Sequence, residues 1–225
     1  CKPITRASVF QLASTGLLLV TCWVAMYWSL AFSYWLTLLL AVPAAVMTMR
    51  LFMLQHDCGH GSFFASQRAN NIVGGILGVL TLVPYSYWRR THAIHHASSG
   101  NLDARGLGDV DTLTVREYLA RSPWQRLRYR VYRHPAVMLT VGPIWLFLIK
   151  HRLPLDIPRT WTREMTGVQL TNLALVGVIA LLSYFVGFEN FLWIQVPIWL
   201  IAGSLGVYLF YVQHQYEDTY WRYRE

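Results

Sequence analysis

Five histidines fall into two tight groups. His56 and His60 stand four apart in His56-Asp57-Cys58-Gly59-His60, and His92, His95 and His96 stand at i, i+3 and i+4 in His92-Ala93-Ile94-His95-His96. On a helix these spacings share one face, so each group can aim its imidazoles at a single point. Neutral imidazole is a good ligand for iron, copper, zinc or nickel. Unshared imidazoles close to lipid are costly, so several together call for a common partner. A sixth histidine, His214, closes the last apolar run in Gln213-His214-Gln215. The remaining two, His134 and His151, have no partner at helical spacing and are read as ordinary interfacial residues.

The donor set narrows the chemistry. A structural zinc site needs four ligands and prefers cysteine among them. Here histidine is in excess and one thiol, Cys58, lies nearby, where it is expected to pack as a small residue. Six or more nitrogens point to two metals. Iron with imidazole ligands and open positions suits dioxygen activation. An oxygen site embedded in a membrane implies a hydrophobic substrate that is hard to functionalise, such as an acyl chain. Metal-bound histidines usually donate their second N–H to a carboxylate or carbonyl. Asp57 and Asp111 are the candidates for that supporting role, while Asp109, Glu217 and Asp218 are read as solvated loop residues.

The elements that must position these residues are membrane helices. The 225 residues are 55% hydrophobic and only 13% charged, about half the charge of a soluble domain, with a mean hydropathy of +0.34. About 20 apolar residues span a bilayer as a helix. Four runs qualify, from about Val9 to Trp28, Phe32 to Leu54, Thr166 to Phe188 and Phe191 to Val212. The first is longer than a signal h-region and no cleavage site follows it. Two shorter stretches, Ile72–Tyr87 and Pro135–Ile149, are expected as interfacial or re-entrant helices. The expected fold is therefore all-α and integral to the membrane, a single domain over residues 1–225. The chain does not begin with Met and is expected to be a fragment truncated at both ends.

Charge orients the spans. Between Trp88 and Pro135 nine arginines face only Asp103, Asp109, Asp111 and Glu117, and Lys150, Arg152, Arg159 and Arg163 follow. Lys2 and Arg6 precede the first span, and the hairpin tips carry almost no charge. All basic segments, and with them all six candidate ligands, then lie on one side, which the positive-inside rule makes cytoplasmic. The net charge of +8 is thus a membrane signature, and nucleic-acid binding is excluded because the basic run is tied to the bilayer. That run, Arg121 to Arg133, is read as an ordinary cytoplasmic loop rather than a surface for an acidic donor or anionic headgroups. Three cysteines, Cys1, Cys22 and Cys58, make no disulfide framework and fit a reducing location.

These residues resemble the membrane fatty acid desaturases. His56 to His60 followed by Gly61-Ser62-Phe63-Phe64 resembles that family's first histidine box, and His92 to His96 resembles the second. The short first box with Asp-Cys-Gly inside is most similar to the acyl-lipid enzymes of bacteria and plastids, the delta-12 or omega-6 kind. Gln213-His214-Gln215-Tyr216-Glu217-Asp218 resembles the stretch before the third box in bacterial members. The resemblance implies a di-iron enzyme in the bacterial inner membrane that consumes O2, takes electrons from ferredoxin or a cytochrome b5-like donor and introduces a cis double bond into an acyl-lipid. It also implies that His56, His60, His92, His95, His96 and His214 are iron ligands. The family's third box, H-x-x-H-H, has no match here, so the chain taken alone is expected to be inactive.

Two other readings remain open from the sequence. A sister hydroxylase, ketolase or alkane monooxygenase would carry similar boxes. A metal transporter or sensor would place ionisable groups near the bilayer midplane, and the four runs carry almost none away from their ends.

Overall fold

The computed structural model describes residues 3–105, 110–153, 155, 157–214 and 220–223. Asp109, Glu217 and Asp218, singled out above, lie outside them, as do Cys1, Gln215 and Tyr216. Among the described residues the regular elements are all helices, joined by turns and loops, apart from an isolated bridge between Asn101 and Arg222. Four helices are long and apolar enough to cross a membrane: α1 (Thr5–Ser29), α2 (Tyr34–Gly59), α8 (Thr162–Val186) and α9 (Phe188–His214). Their outward faces leave Phe10, Trp35, Leu39, Leu173 and Phe185 exposed, which suits lipid and not water. The protein is an integral membrane protein of all-α fold.

Small residues let the spans approach closely, as membrane helices require. Ala41, Ala44 and Ala45 of α2 are wholly buried against Met26 of α1 and Ile194 and Ile198 of α9. At the α1–α2 turn the hydroxyls of Ser29 and Thr37 lie 2.7 Å apart, a mutual bond that removes two polar groups from the apolar surroundings.

The stretch Ile72–Tyr87, expected as one short interfacial or re-entrant helix, falls across two helices. α3 (Gln67–Leu80) and α4 (Tyr85–Ser98) meet at a bend of 104°. Pro84 at the break supplies no N–H to carry the helix on, and Leu82 takes a positive φ of 61°. α3 packs along α2, with Leu77 buried beside Leu51 and Leu54, and α4 returns along the start of α8. The turn between them is clasped from outside. Arg152 donates to the Leu82 carbonyl at 2.6 Å and to Asn172 Oδ1 at 2.9 Å, and Asn172 Nδ2 donates back to the Arg152 carbonyl at 2.8 Å. Burial pulls the Arg152 guanidinium down to about 10, which leaves it cationic at neutral pH.

The run Arg121 to Arg133, read above as a loop, is mostly helix. α5 (Val115–Ala120) and α6 (Pro123–Arg133) each open on a capping box, Thr114 with Glu117 and Ser122 with Gln125, satisfying backbone donors that would otherwise be orphaned. α7 (Pro135–Ile144) continues as a π-helical turn through Lys150. It lies against α9, where Ser204 Oγ donates to the Leu139 carbonyl at 2.5 Å.

Candidate metal centre

Three helix ends bring the histidines together. His56 lies in the last turn of α2 and His60 caps it, His92, His95 and His96 lie in the second half of α4, and His214 ends α9. The six do not converge on one point. They form two foci.

The first focus holds His56, His60, His92 and His96, one ligand atom of each lying within 4.8 Å of all the others. His92 Nε2 is its hub, 3.0 Å from His56 Nε2, 3.2 Å from His60 Nε2 and 3.0 Å from His96 Nε2, and His56 and His60 are 3.3 Å apart. An ion about 2.1 Å from each imidazole nitrogen spaces neighbouring nitrogens by about 3.0 Å at right angles and somewhat more at the tetrahedral angle. The observed edges fit that range, so this donor set fits a metal ion. Burial first, then the neighbouring imidazoles, push His92 down to about 3, and the same causes lower His96. His92 therefore offers a bare nitrogen at neutral pH, as ligation needs.

The second focus pairs His95 with His214, whose Nε2 atoms lie 2.8 Å apart. His95 is only 2% exposed. His214 Nδ1 donates to the Phe210 carbonyl at 2.7 Å, which fixes the tautomer and leaves Nε2 as the lone-pair atom. Phe210 also stacks on His214, with ring centroids 4.3 Å apart.

The motif between His56 and His60 has a packing reason. Cys58 is wholly buried, and its carbonyl accepts the Tyr85 hydroxyl at 2.9 Å. A Cβ on Gly59 would stand 2.7 Å from a Trp88 ring carbon. Glycine lets Trp88 tuck under the end of α2, where it stacks on His92 at 4.5 Å with planes 18° apart. Arg89 adds a bond to the Gly59 carbonyl at 3.0 Å and one to Asn71 Oδ1 at 3.0 Å. These contacts lock α4 to α2 and so set the two histidine groups against each other. Trp88, Tyr85 and Arg89 escape a search for ligand types. Only the position of Trp88, one turn before His92, marks it in the sequence.

The two supporting carboxylates fare differently. Asp57 Oδ1 lies 3.7 Å from His56 Nδ1, too long for a hydrogen bond; its charge favours the protonated ring, but burial and then His60 outweigh it and hold His56 below its ordinary value. The contacts described for Asp111 are made by its backbone, whose N–H donates to the Tyr132 hydroxyl at 3.1 Å and whose carbonyl accepts from Arg133 at 3.4 Å. His134 caps α7, accepting the Ala136 N–H at 3.3 Å. His151 is buried between Phe147 and Tyr87.

The fatty acid desaturase family model matches residues 33–225. The chain is 48% identical to a fatty acid desaturase of Bacillus subtilis over 219 residues, 97% of this chain and 62% of that protein. It is 34% identical to a Synechocystis sn-1 acyl-lipid omega-3 desaturase (ferredoxin) over 168 residues, 72% of this chain and 43% of that one. It is 28% identical to a chloroplastic sn-2 acyl-lipid omega-3 desaturase (ferredoxin) of Arabidopsis thaliana over 222 residues, 94% and 46% of the two chains. The chain thus spans between about two fifths and three fifths of the length of these relatives.

Proposed function

This chain belongs to the fatty acid desaturase family, and from that premise we propose that its protein is an oxygen-dependent acyl-lipid desaturase with two non-haem irons on the cytoplasmic side of the membrane. The observation that carries the reading is the convergence of four imidazole nitrogens at the end of α2 and α4. His56, His60, His92 and His96 would hold one ion, and His95 and His214 would offer two nitrogens to the other. When bound, iron at these positions supplies dioxygen activation and the power to take hydrogen from adjacent methylenes.

The chain's own residues do the rest. Trp88 holds the His92 ring in plane, the Phe210 carbonyl keeps the His214 proton on Nδ1, and the depressed His92 keeps a lone pair ready. Burial of His95 beside Phe210 keeps water from that ligand. The α3–α4 hairpin brings these groups to the bilayer face, where an acyl chain of a membrane lipid can reach them without leaving the membrane. Electrons come from a separate protein, ferredoxin or a cytochrome b5-like donor. The ferredoxin named for the Synechocystis and Arabidopsis relatives supports the former.

The test is to express the full-length protein with a ferredoxin system in a host lacking desaturases, beside a His95→Ala control, and to analyse fatty acid methyl esters by gas chromatography. A new cis double bond that disappears in the control supports the reading. A hydroxylated product moves the protein to the sister chemistry, and unchanged lipids from iron-loaded protein overturn it.

A further inference from the structure

A groove of about 570 Å³ opens between α3, α4 and α8. Along α8 its lining runs from Arg163 to Ala174, about 16 Å of helix at 1.5 Å per residue. The two ends differ in chemistry. Arg89, Arg90 and Arg163 stand at the mouth with Asn71 and Glu164, while Gly75, Ile76, Val79, Leu170 and Ala174 line the interior. Among the described residues Glu164 is the single acid lining it and is already paired with Arg90 at 3.1 Å, so these lining residues carry net positive charge. Arg90 is itself held in place over the Trp161 ring, 3.9 Å from its centre.

The polarity runs in the direction of the bilayer. α8 enters the membrane from the side that carries the basic segments, so the arginines lie at headgroup depth and the apolar walls lie deeper. Ile72, Ile76 and Leu170 are all exposed along it, so the groove opens sideways to lipid. Gly75 contributes to its width. A Cβ built there meets nothing within 4 Å, although glycine is less favourable than alanine inside a helix.

We infer that this groove is a binding site for one anionic glycerophospholipid, with its phosphate at Arg89, Arg90 and Arg163 and an acyl chain along Gly75, Ile76 and Leu170. Guanidinium suits phosphate because its planar fork donates two bonds at once. No histidine of the metal centre lines the groove. The site is therefore a lipid seat separate from the chemistry, set against the outer side of the α4 helix that carries three of the candidate ligands. It stands whether or not the desaturase reading does.

Native mass spectrometry of the full-length protein in detergent, titrated with dioleoyl-phosphatidylglycerol, tests it. Wild type is expected to retain one lipid. Arg163→Gln, a change at an exposed position, is expected to weaken retention about fivefold, the worth of one arginine–headgroup contact. Gly75→Leu, which fills open space, is expected to weaken it at least as much. Gly177→Leu, at a glycine of α8 with open space around it but outside the groove, is expected to leave it unchanged. Metal content, measured on the same samples, should match wild type in all three and shows that they are folded. Equal retention in Arg163→Gln and Gly75→Leu, equal loss in Gly177→Leu, or full displacement by inorganic phosphate alone would each overturn the assignment.

Discussion

His95 on α4 and His214 at the end of α9 face each other across 2.8 Å, nitrogen to nitrogen, although 119 positions separate them in the chain. This pair is the bridge between the re-entrant hairpin and the last span. It is also distinct from the four-nitrogen focus, because the rings of His92 and His95 lie 6.1 Å apart.

Two foci predict two classes of ligand variant. His92→Ala removes the nitrogen that touches three others and is expected to empty the first focus. The loss should exceed the roughly 10–100-fold in affinity that follows removal of a supporting partner. His214→Ala is expected to lower metal content while leaving the first focus loaded. Metal per protein by inductively coupled plasma mass spectrometry separates them, and identical losses in the two variants count against the division.

Gly59→Ala places a methyl group against Trp88. The expected cost is about 1–3 kcal/mol, as for other overpacked sites, together with weaker metal binding as Trp88 shifts from His92. Thermal unfolding in detergent and a metal titration read the two effects. Trp88→Ala should relieve the stability loss in the double variant without restoring the metal affinity.

Much of the centre was legible in the sequence because helical spacing alone puts His56 with His60 and His92 with His96. The four spans were legible because bilayer thickness fixes their length, and their observed ends differ from the expected ones by a few residues. The separation of His95 from its neighbours was not legible. His95 lies three positions after His92, near enough to share its face, yet the 3.6-residue turn rotates it toward α9. The division of the re-entrant stretch into two helices was hidden for a different reason. The apolar run Ile72–Tyr87 is continuous in hydropathy, and only Pro84 and the positive φ of Leu82 break it. The role of Arg152 was also hidden, since in sequence it looks like one more cytoplasmic charge.

Arg152→Met removes the donor to the Leu82 carbonyl and to Asn172. A buried acceptor left without its partner costs about 1–3 kcal/mol, so the unfolding midpoint is expected to fall by that equivalent. The hairpin should loosen first. Hydrogen exchange over residues 78–86 is the direct readout, and unchanged protection there would contradict the clasp.

Hydrogen bonds from Arg105, and then from the Thr114 backbone and hydroxyl, hold the Glu117 carboxyl well below its ordinary value of 4.5. The folded value is depressed, so the contribution is complete above the ordinary value and is lost as pH falls below it. The melting difference between wild type and Glu117→Gln is expected to be small, because solvent screens the pair. It should hold steady near neutrality and shrink below about pH 4.5. A difference that grows on acidification would reverse the assignment.

The clasp at Leu82 has a meaning for biogenesis. A ribosome delivers the hairpin long before it delivers Arg152 and Asn172, the two residues that fasten its turn. Until Arg152 is made, the newborn hairpin has an unanswered carbonyl at its apex, and its return helix, already held to α2 through Tyr85 and Arg89, still lacks α8. The fastening of its turn therefore depends on chain that emerges some 70 to 90 residues afterwards. The candidate second focus waits longer still, for the end of α9 and His214.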